Sequence, residues 1–127
     1  NLTKYVPEKQ AVVELFMKEK NAPFLIYTSI FAAFAGPIVE ELFFRGFAYP
    51  AVRKRLGVKN AVILVSAVFA TLHMNVVAFF PIFGLGILLA YLYEKTGSLI
   101  PSISVHVIHN SVVVFLAYIY KIIALPK

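Results

Sequence analysis

The stretch FLIYTSIFAAFAGPIVEELFFRGF, Phe24–Phe47, decides the fold. It is long enough to cross a hydrocarbon core, which takes about 20 mostly apolar residues. Yet it carries Glu40, Glu41 and Arg45 toward its end. Ionisable groups inside a membrane helix cost on the order of 2.5–3.5 kcal/mol each on insertion scales. They persist where they face a bundle interior and find partners there. A single span with these residues therefore implies other helices packed around it.

Three more apolar segments follow, at about Asn60–Phe80, Ile82–Tyr93 and Ser98–Leu125. The third is short for a full crossing, and Pro81 predicts a break between it and the second. Gly84 and Gly86 would let a neighbouring helix approach closely. Arg53, Lys54, Arg55, Gly57 and Lys59 read as a basic loop. Glu94–Gly97 reads as a turn, with Gly97 ending a helix in the left-handed conformation. If all four segments cross, these two connections lie on one side of the membrane. Ahead of them, PEKQAVVELFMKEK (Pro7–Lys20) mixes apolar and charged residues, with Pro7 suited to a first helical turn. It reads as an amphipathic helix at the membrane surface, or equally as a solvated helix packed on the rest. The expected fold is all-α: a multi-span transmembrane helical bundle with one amphipathic surface helix near the N-terminus. Residues 1–22 form the surface segment and 23–127 the catalytic core, read as a piece of a longer membrane protein.

Composition agrees. Of 127 residues, 61% are hydrophobic and 14% charged, where a soluble domain carries about 25% charged residues. Mean hydropathy is +0.84. There are no cysteines, which excludes disulfides, thiolate ligands and a cysteine nucleophile. The net charge of +6 comes from basic residues flanking the apolar runs. That pattern suits anionic lipid and topology control. It does not suit nucleic acid, because the basic residues are not interleaved with aromatic stacking platforms.

The ionisable residues in the spans sort by helical geometry. Glu41 and Arg45 are four apart, with the acid on the N-terminal side, the better order for a pair. Glu40 is turned about 100° from Glu41. If Arg45 holds Glu41, Glu40 is left without a local cation and is free for general-base chemistry. The plainer alternative is a structural ion network anchoring the helix end. His73 lies in the second span, where a hydrogen-bonded core role competes with a catalytic one. His106 and Asn110 share a face of the last helix and could aim two donors at one point, as an oxyanion site requires. His109 lies about 60° to the other side and reads as a flanking polar residue. One shared polar site accounts for all of these groups together.

The motifs EELFFRG (Glu40–Gly46), FATLH (Phe69–His73) and HVIHN (His106–Asn110) resemble, in order, EExxxR, FxxxH and HxxxN of the CPBP intramembrane proteases, also called the CAAX-prenyl protease type II or Abi-like family. The stretch YEKTGSLIPSISVH is similar to that family's link into its last motif. The resemblance covers roughly Ala35 to Val114. It implies an intramembrane endopeptidase in which Glu40 and His73 activate a water, His106 and Asn110 hold the oxyanion, and Glu41 and Arg45 support the site. It implies a peptide or protein substrate, lipid-modified in the CAAX branch, or a role in bacteriocin processing or self-immunity. It also implies a multi-pass protein of a prokaryotic plasma membrane. Glu40, His73 and His106 have the two-His-one-Glu composition of some catalytic zinc sites. However, the helical HExxH arrangement is absent, and a metal-free water held by Glu and His explains the same residues. Two other readings use the same features: a non-proteolytic scaffold or immunity protein on this fold, and a transporter fragment with a proton-coupling carboxylate.

Overall fold

The computed structural model describes residues 16–124, and they are helical almost throughout. Asn21 starts the first long helix, its side-chain oxygen accepting the Phe24 N–H at 3.1 Å, with proline in the first turn behind it. The helix then changes character twice without breaking. Ordinary helix α1 (Ala22–Ile30) passes through a π-turn, π1 (Phe31–Ala35), into α2 (Gly36–Phe43). A second π-turn, π2 (Phe44–Ala48), leads into α3 (Tyr49–Leu72). Such turns insert one extra residue and re-aim the side chains beyond them, and they concentrate at functional sites. Here they frame the Glu40–Glu41 segment.

α3 is two helical segments that meet at Gly57, whose φ of 77° and ψ of 171° are non-helical. The chain doubles back there, since the Phe44 and Phe69 rings pack 5.1 Å apart; the expected connection is thus a tight reversal, with Arg53, Lys54 and Arg55 helical before it and Lys59 helical after it. α3 ends at His73, and Met74 takes a positive φ of 51°. Residues 73–78 form the connection to α4 (Phe79–Thr96), where Asn75 accepts the Ala78 N–H at 3.0 Å. This corrects the expected break at Pro81. That proline lies within the first turn of α4, where a missing N–H breaks no helical bond. Gly97, at φ 65°, ends α4 with its N–H on the Tyr93 carbonyl at 2.8 Å, as its position predicts. α5 (Leu99–Ala124) completes the bundle.

Pairs along the chain give the packing. Ser29 meets Tyr118, Ala32 meets Asn110, Glu41 meets His106 and Gly46 lies beside Leu99. The first long helix and α5 are therefore antiparallel. α4 packs on both α3 and α5. It comes close to α3 at Gly86, where a Cβ would stand 3.0 Å from Ser66 Cβ. Gly84, by contrast, has no neighbour within 4 Å of a Cβ position among the described residues.

The described helices carry their apolar residues outward as well as inward. Phe31, Phe47, Val76, Phe115 and Ile122 are all well exposed. Two stretches, Ala22–Leu72 and Leu99–Ile123, are long and apolar enough to cross a membrane, and their most apolar windows are only 11% buried. An apolar helix in a soluble core would be buried on most sides; one that stays exposed needs hydrocarbon as its solvent. The fold is thus an all-α bundle, with two stretches that qualify as spans on length and apolarity. Most of the expected surface helix at Pro7–Lys20 lies outside the described residues.

Candidate active site

The site is built around one carboxylate. Glu41 and Arg45 are both fully buried and joined by a 2.7 Å ion pair one turn apart on the same helix. Arg45 donates a second hydrogen bond, at 3.0 Å, to the Gly86 carbonyl of α4. Its guanidinium also lies 4.7 Å from the Phe69 ring centre, in cation–π contact. Arginine suits this position because its planar fork spreads one charge over several partners.

His106 reaches Glu41 from α5, with Nδ1 2.9 Å from Oε1. That oxygen is already accepting a hydrogen bond from Arg45, so Nδ1 is the donor and Glu41 the ionised acceptor. The arrangement fixes the ring and leaves Nε2 facing Glu40, whose Oε2 stands 3.7 Å away. Oε2 of Glu40 is itself buried without a hydrogen-bond partner among the described residues. The Glu40 side chain as a whole is 36% exposed, so it spans the boundary between the bundle interior and its surroundings.

Phe69 is the floor of the site. Besides Arg45, it contacts the rings of His73 at 4.8 Å and His106 at 5.7 Å, both edge-on. His73 and Phe69 are four apart on α3, and His73 Nδ1 lies 2.7 Å from the Phe69 carbonyl. A carbonyl can only accept, so Nδ1 carries a proton, and in the neutral ring Nε2 of His73 is the acceptor. The aromatic residue of FATLH thus orients both histidines.

Asn110 lies one turn beyond His106 on α5, and one N–H of its amide is taken up outside the Glu41–His106 network. Nδ2 donates to the Ala32 carbonyl in π1 at 2.9 Å. His109 is exposed. Among the described residues no three His, Asp or Glu side chains, the zinc candidates Glu40, His73 and His106 included, gather at ligating distance.

Other polar residues contribute that the sequence motifs did not single out. Gly86 offers its carbonyl to Arg45 and its missing side chain to Ser66. Tyr49 and Arg53 both donate to Glu94, each at 2.8 Å, tying the part of α3 before Gly57 to the end of α4. Lys121, almost fully buried, donates to the Phe16 and Glu19 carbonyls at 2.6 Å each. The Glu94 partners could have been suspected from the charge at the predicted turn, and the close approach at Gly86 was expected from its missing side chain; no local signal pointed to the Gly86 carbonyl as a partner of Arg45 or to the Lys121 contacts.

A family model described as type II CAAX prenyl endopeptidase Rce1-like matches residues 22–112. The chain belongs to that family. The match contains every motif residue of the site, from Glu40 to Asn110, and with them the π-turns, the Gly57 reversal and all of α4. Type II CAAX prenyl endopeptidases are membrane-embedded proteases, so at family level the chain is a CAAX-type intramembrane endopeptidase. No curated protein and no solved structure matches the chain.

Proposed function

We propose that the chain cleaves a peptide bond at membrane depth, using Glu40 and His73 to activate a water and His106 and Asn110 to hold the oxyanion. The observation that carries this reading is the approach of Glu40 to His106. Their facing atoms are 3.7 Å apart, too far for a direct hydrogen bond and suited to a bridging oxygen. The His106 side of that gap is supported, His106 by Glu41 and Glu41 by Arg45.

The chemistry follows from these supports. The Glu40 carboxylate accepts a proton as the water oxygen adds to the scissile carbonyl carbon. The Nε2 acceptor of His73 orients the same water. The carbonyl oxygen becomes an oxyanion, which Nε2 of His106 can hold when it carries a proton. Nδ1 already donates to Glu41, so that form of His106 is the imidazolium, and Glu41 is the anion that stabilises it. This is the role of a buried carboxylate behind a catalytic histidine. The intermediate collapses with cleavage of the C–N bond, and the proton taken by Glu40 passes to the leaving nitrogen. One water is consumed, and a carboxylate and an amine are formed. No step runs through a metal ion.

The substrate class that fits the family is a CAAX peptide bearing a prenyl group. A multi-pass arrangement places the Gly57 reversal and the Glu94–Gly97 turn on one face of the membrane, consistent with the Arg53–Glu94 ion pair that joins them.

The test is cleavage of a prenylated CAAX peptide by the chain in proteoliposomes, beside mass spectrometry of peptides from cells carrying either form. Glu40→Gln keeps the shape and removes the base. It should abolish turnover and leave the folded yield unchanged. Equal cleavage by the two forms would sink the hydrolase reading and favour a scaffold that only binds.

A further inference from the structure

The bond between Asn110 and Ala32 has a cause in the backbone. A carbonyl inside a helix ordinarily accepts a backbone N–H from the following turn. In π1 the Gly36 N–H reaches back five residues to the Phe31 carbonyl. In that register the Ala32 carbonyl would take the N–H of residue 37. Residue 37 is proline, which has none. The Ala32 oxygen is therefore left for a side chain, and Asn110 takes it from α5.

Gly36 and Pro37 together explain why the turn lies here. In an ordinary α register the proline ring would clash with the carbonyl four residues back, at Ala33. Widening the turn by one residue relieves that contact. Gly36 suits the tightened approach, since a Cβ there would meet the Phe31 oxygen at 3.3 Å. Pro37 itself is fully buried, three residues before Glu40.

A primary amide holds two N–H donors and one acceptor in a single plane. Holding one N–H on Ala32, with the other end of the side chain anchored on α5, restrains the plane and with it the direction of the second. We propose that Pro37 is a positioning residue for peptide hydrolysis. By withholding a backbone donor from Ala32, it reserves that carbonyl for Asn110, and so aims the second Asn110 N–H at the oxyanion. This rests on the reading above, in which Asn110 is an oxyanion donor.

The test is a double-substitution cycle on the full chain in proteoliposomes, with a prenylated CAAX peptide as substrate and Glu40→Gln as the inactive reference. Pro37→Ala supplies a backbone N–H that competes for the Ala32 carbonyl. It should lower kcat by about ten- to a hundredfold with KM unchanged, as small misplacements of a catalytic group do. Asn110→Ala should lower kcat by about a hundredfold or more. The double variant should be no slower than Asn110→Ala alone, because Pro37 acts through Asn110. Thermal unfolding of Pro37→Ala should be at or above the parent's, which separates aiming from support of the fold. A second readout needs no activity: the amide stretch of an isotope-labelled Ala32 carbonyl. Asn110→Ala should shift it to higher frequency in the parent and leave it in place in the Pro37→Ala background. Full kcat in Pro37→Ala, or a double variant slower than Asn110→Ala by the whole Pro37→Ala factor, overturns the proposal. An Ala32 stretch insensitive to Asn110→Ala in the parent does the same. If the parent shows no Glu40-dependent cleavage, the hydrolase reading itself falls, whatever the carbonyl stretch reports.

Discussion

Oε1 of Glu41 accepts two hydrogen bonds from two different helices, from Arg45 at 2.7 Å and from His106 at 2.9 Å across 65 positions of sequence. One oxygen thus joins the first long helix to α5, and through Arg45 and the Gly86 carbonyl it joins both to α4. The carboxylate is completely buried. Its charge is tolerable because a cation and a ring N–H converge on it.

Glu41→Ala should therefore damage the fold as well as the reaction. It leaves Arg45 buried without its counter-ion, at a cost of roughly 3–5 kcal/mol. It also frees His106 to rotate. Unfolding in a mild detergent should shift by that amount, with cleavage lost in parallel. Wild-type stability in Glu41→Ala would contradict the assigned role.

The two glycines of α4 should behave oppositely. Gly86→Ala places a Cβ 3.0 Å from Ser66 Cβ and 3.2 Å from Ser66 Cα, tighter than nine in ten real Cβ contacts. The facing helix must give by a few tenths of an ångström, which should cost about 1–3 kcal/mol and shift the Gly86 carbonyl relative to Arg45. Gly84→Ala meets nothing within 4 Å and should be neutral or stabilising by up to about 1 kcal/mol, from helix propensity. Comparing the two unfolding curves checks this, and equal behaviour would refute the close approach at Gly86.

Near the Gly57 reversal, the two partners of Glu94 should contribute unequally. Tyr49 is fully buried, and its hydroxyl bond at 2.8 Å to Glu94 is worth about 1 kcal/mol. Arg53 is 51% exposed, so its 2.8 Å pair with the same residue is worth under about 1 kcal/mol and weakens with salt. Tyr49→Phe should lower stability measurably at any ionic strength. Arg53→Ala should do so weakly, with the effect fading in high salt.

Lys121 pins the segment that precedes the bundle. Its ammonium donates to the Phe16 and Glu19 carbonyls and lies 5.0 Å from the Phe16 ring centre. Lys121→Met keeps the bulk and removes the donors. Hydrogen exchange at residues 16–21 should rise in that variant, while exchange around Glu40 and His106 stays as in the parent. Unchanged exchange at 16–21 would show that the lysine does not hold the segment.

Helix content and exposure to lipid were legible along the chain because apolar runs, prolines and glycines act locally. Gly97 ends its helix where its residue type says it should. The pairing of Glu41 with Arg45 followed from spacing alone, since residues four apart on a helix always share a face. Pro81 misled for an instructive reason: a proline breaks a helix only where an N–H is needed, and the first turn needs none. The basic stretch marked a connection because charge interrupts an apolar run; the chain does reverse there, but at Gly57 alone, since the charged residues on either side continue a helix readily.

By itself the sequence determined an all-helical membrane chain, the three motifs and the face each motif residue occupies on its own helix, because these depend on neighbours within a turn. Tertiary structure decided what those faces meet. It joined His106 to Glu41 rather than to Glu40, made Phe69 the floor under both histidines, brought the Gly86 carbonyl to Arg45 and gave Asn110 the oxygen that Pro37 leaves open. Each of these contacts links residues on separate helices or separate turns. Their distances depend on helix crossing, on the extra residue in each π-turn and on where a missing side chain or N–H lets another group approach, and no local pattern encodes such sums.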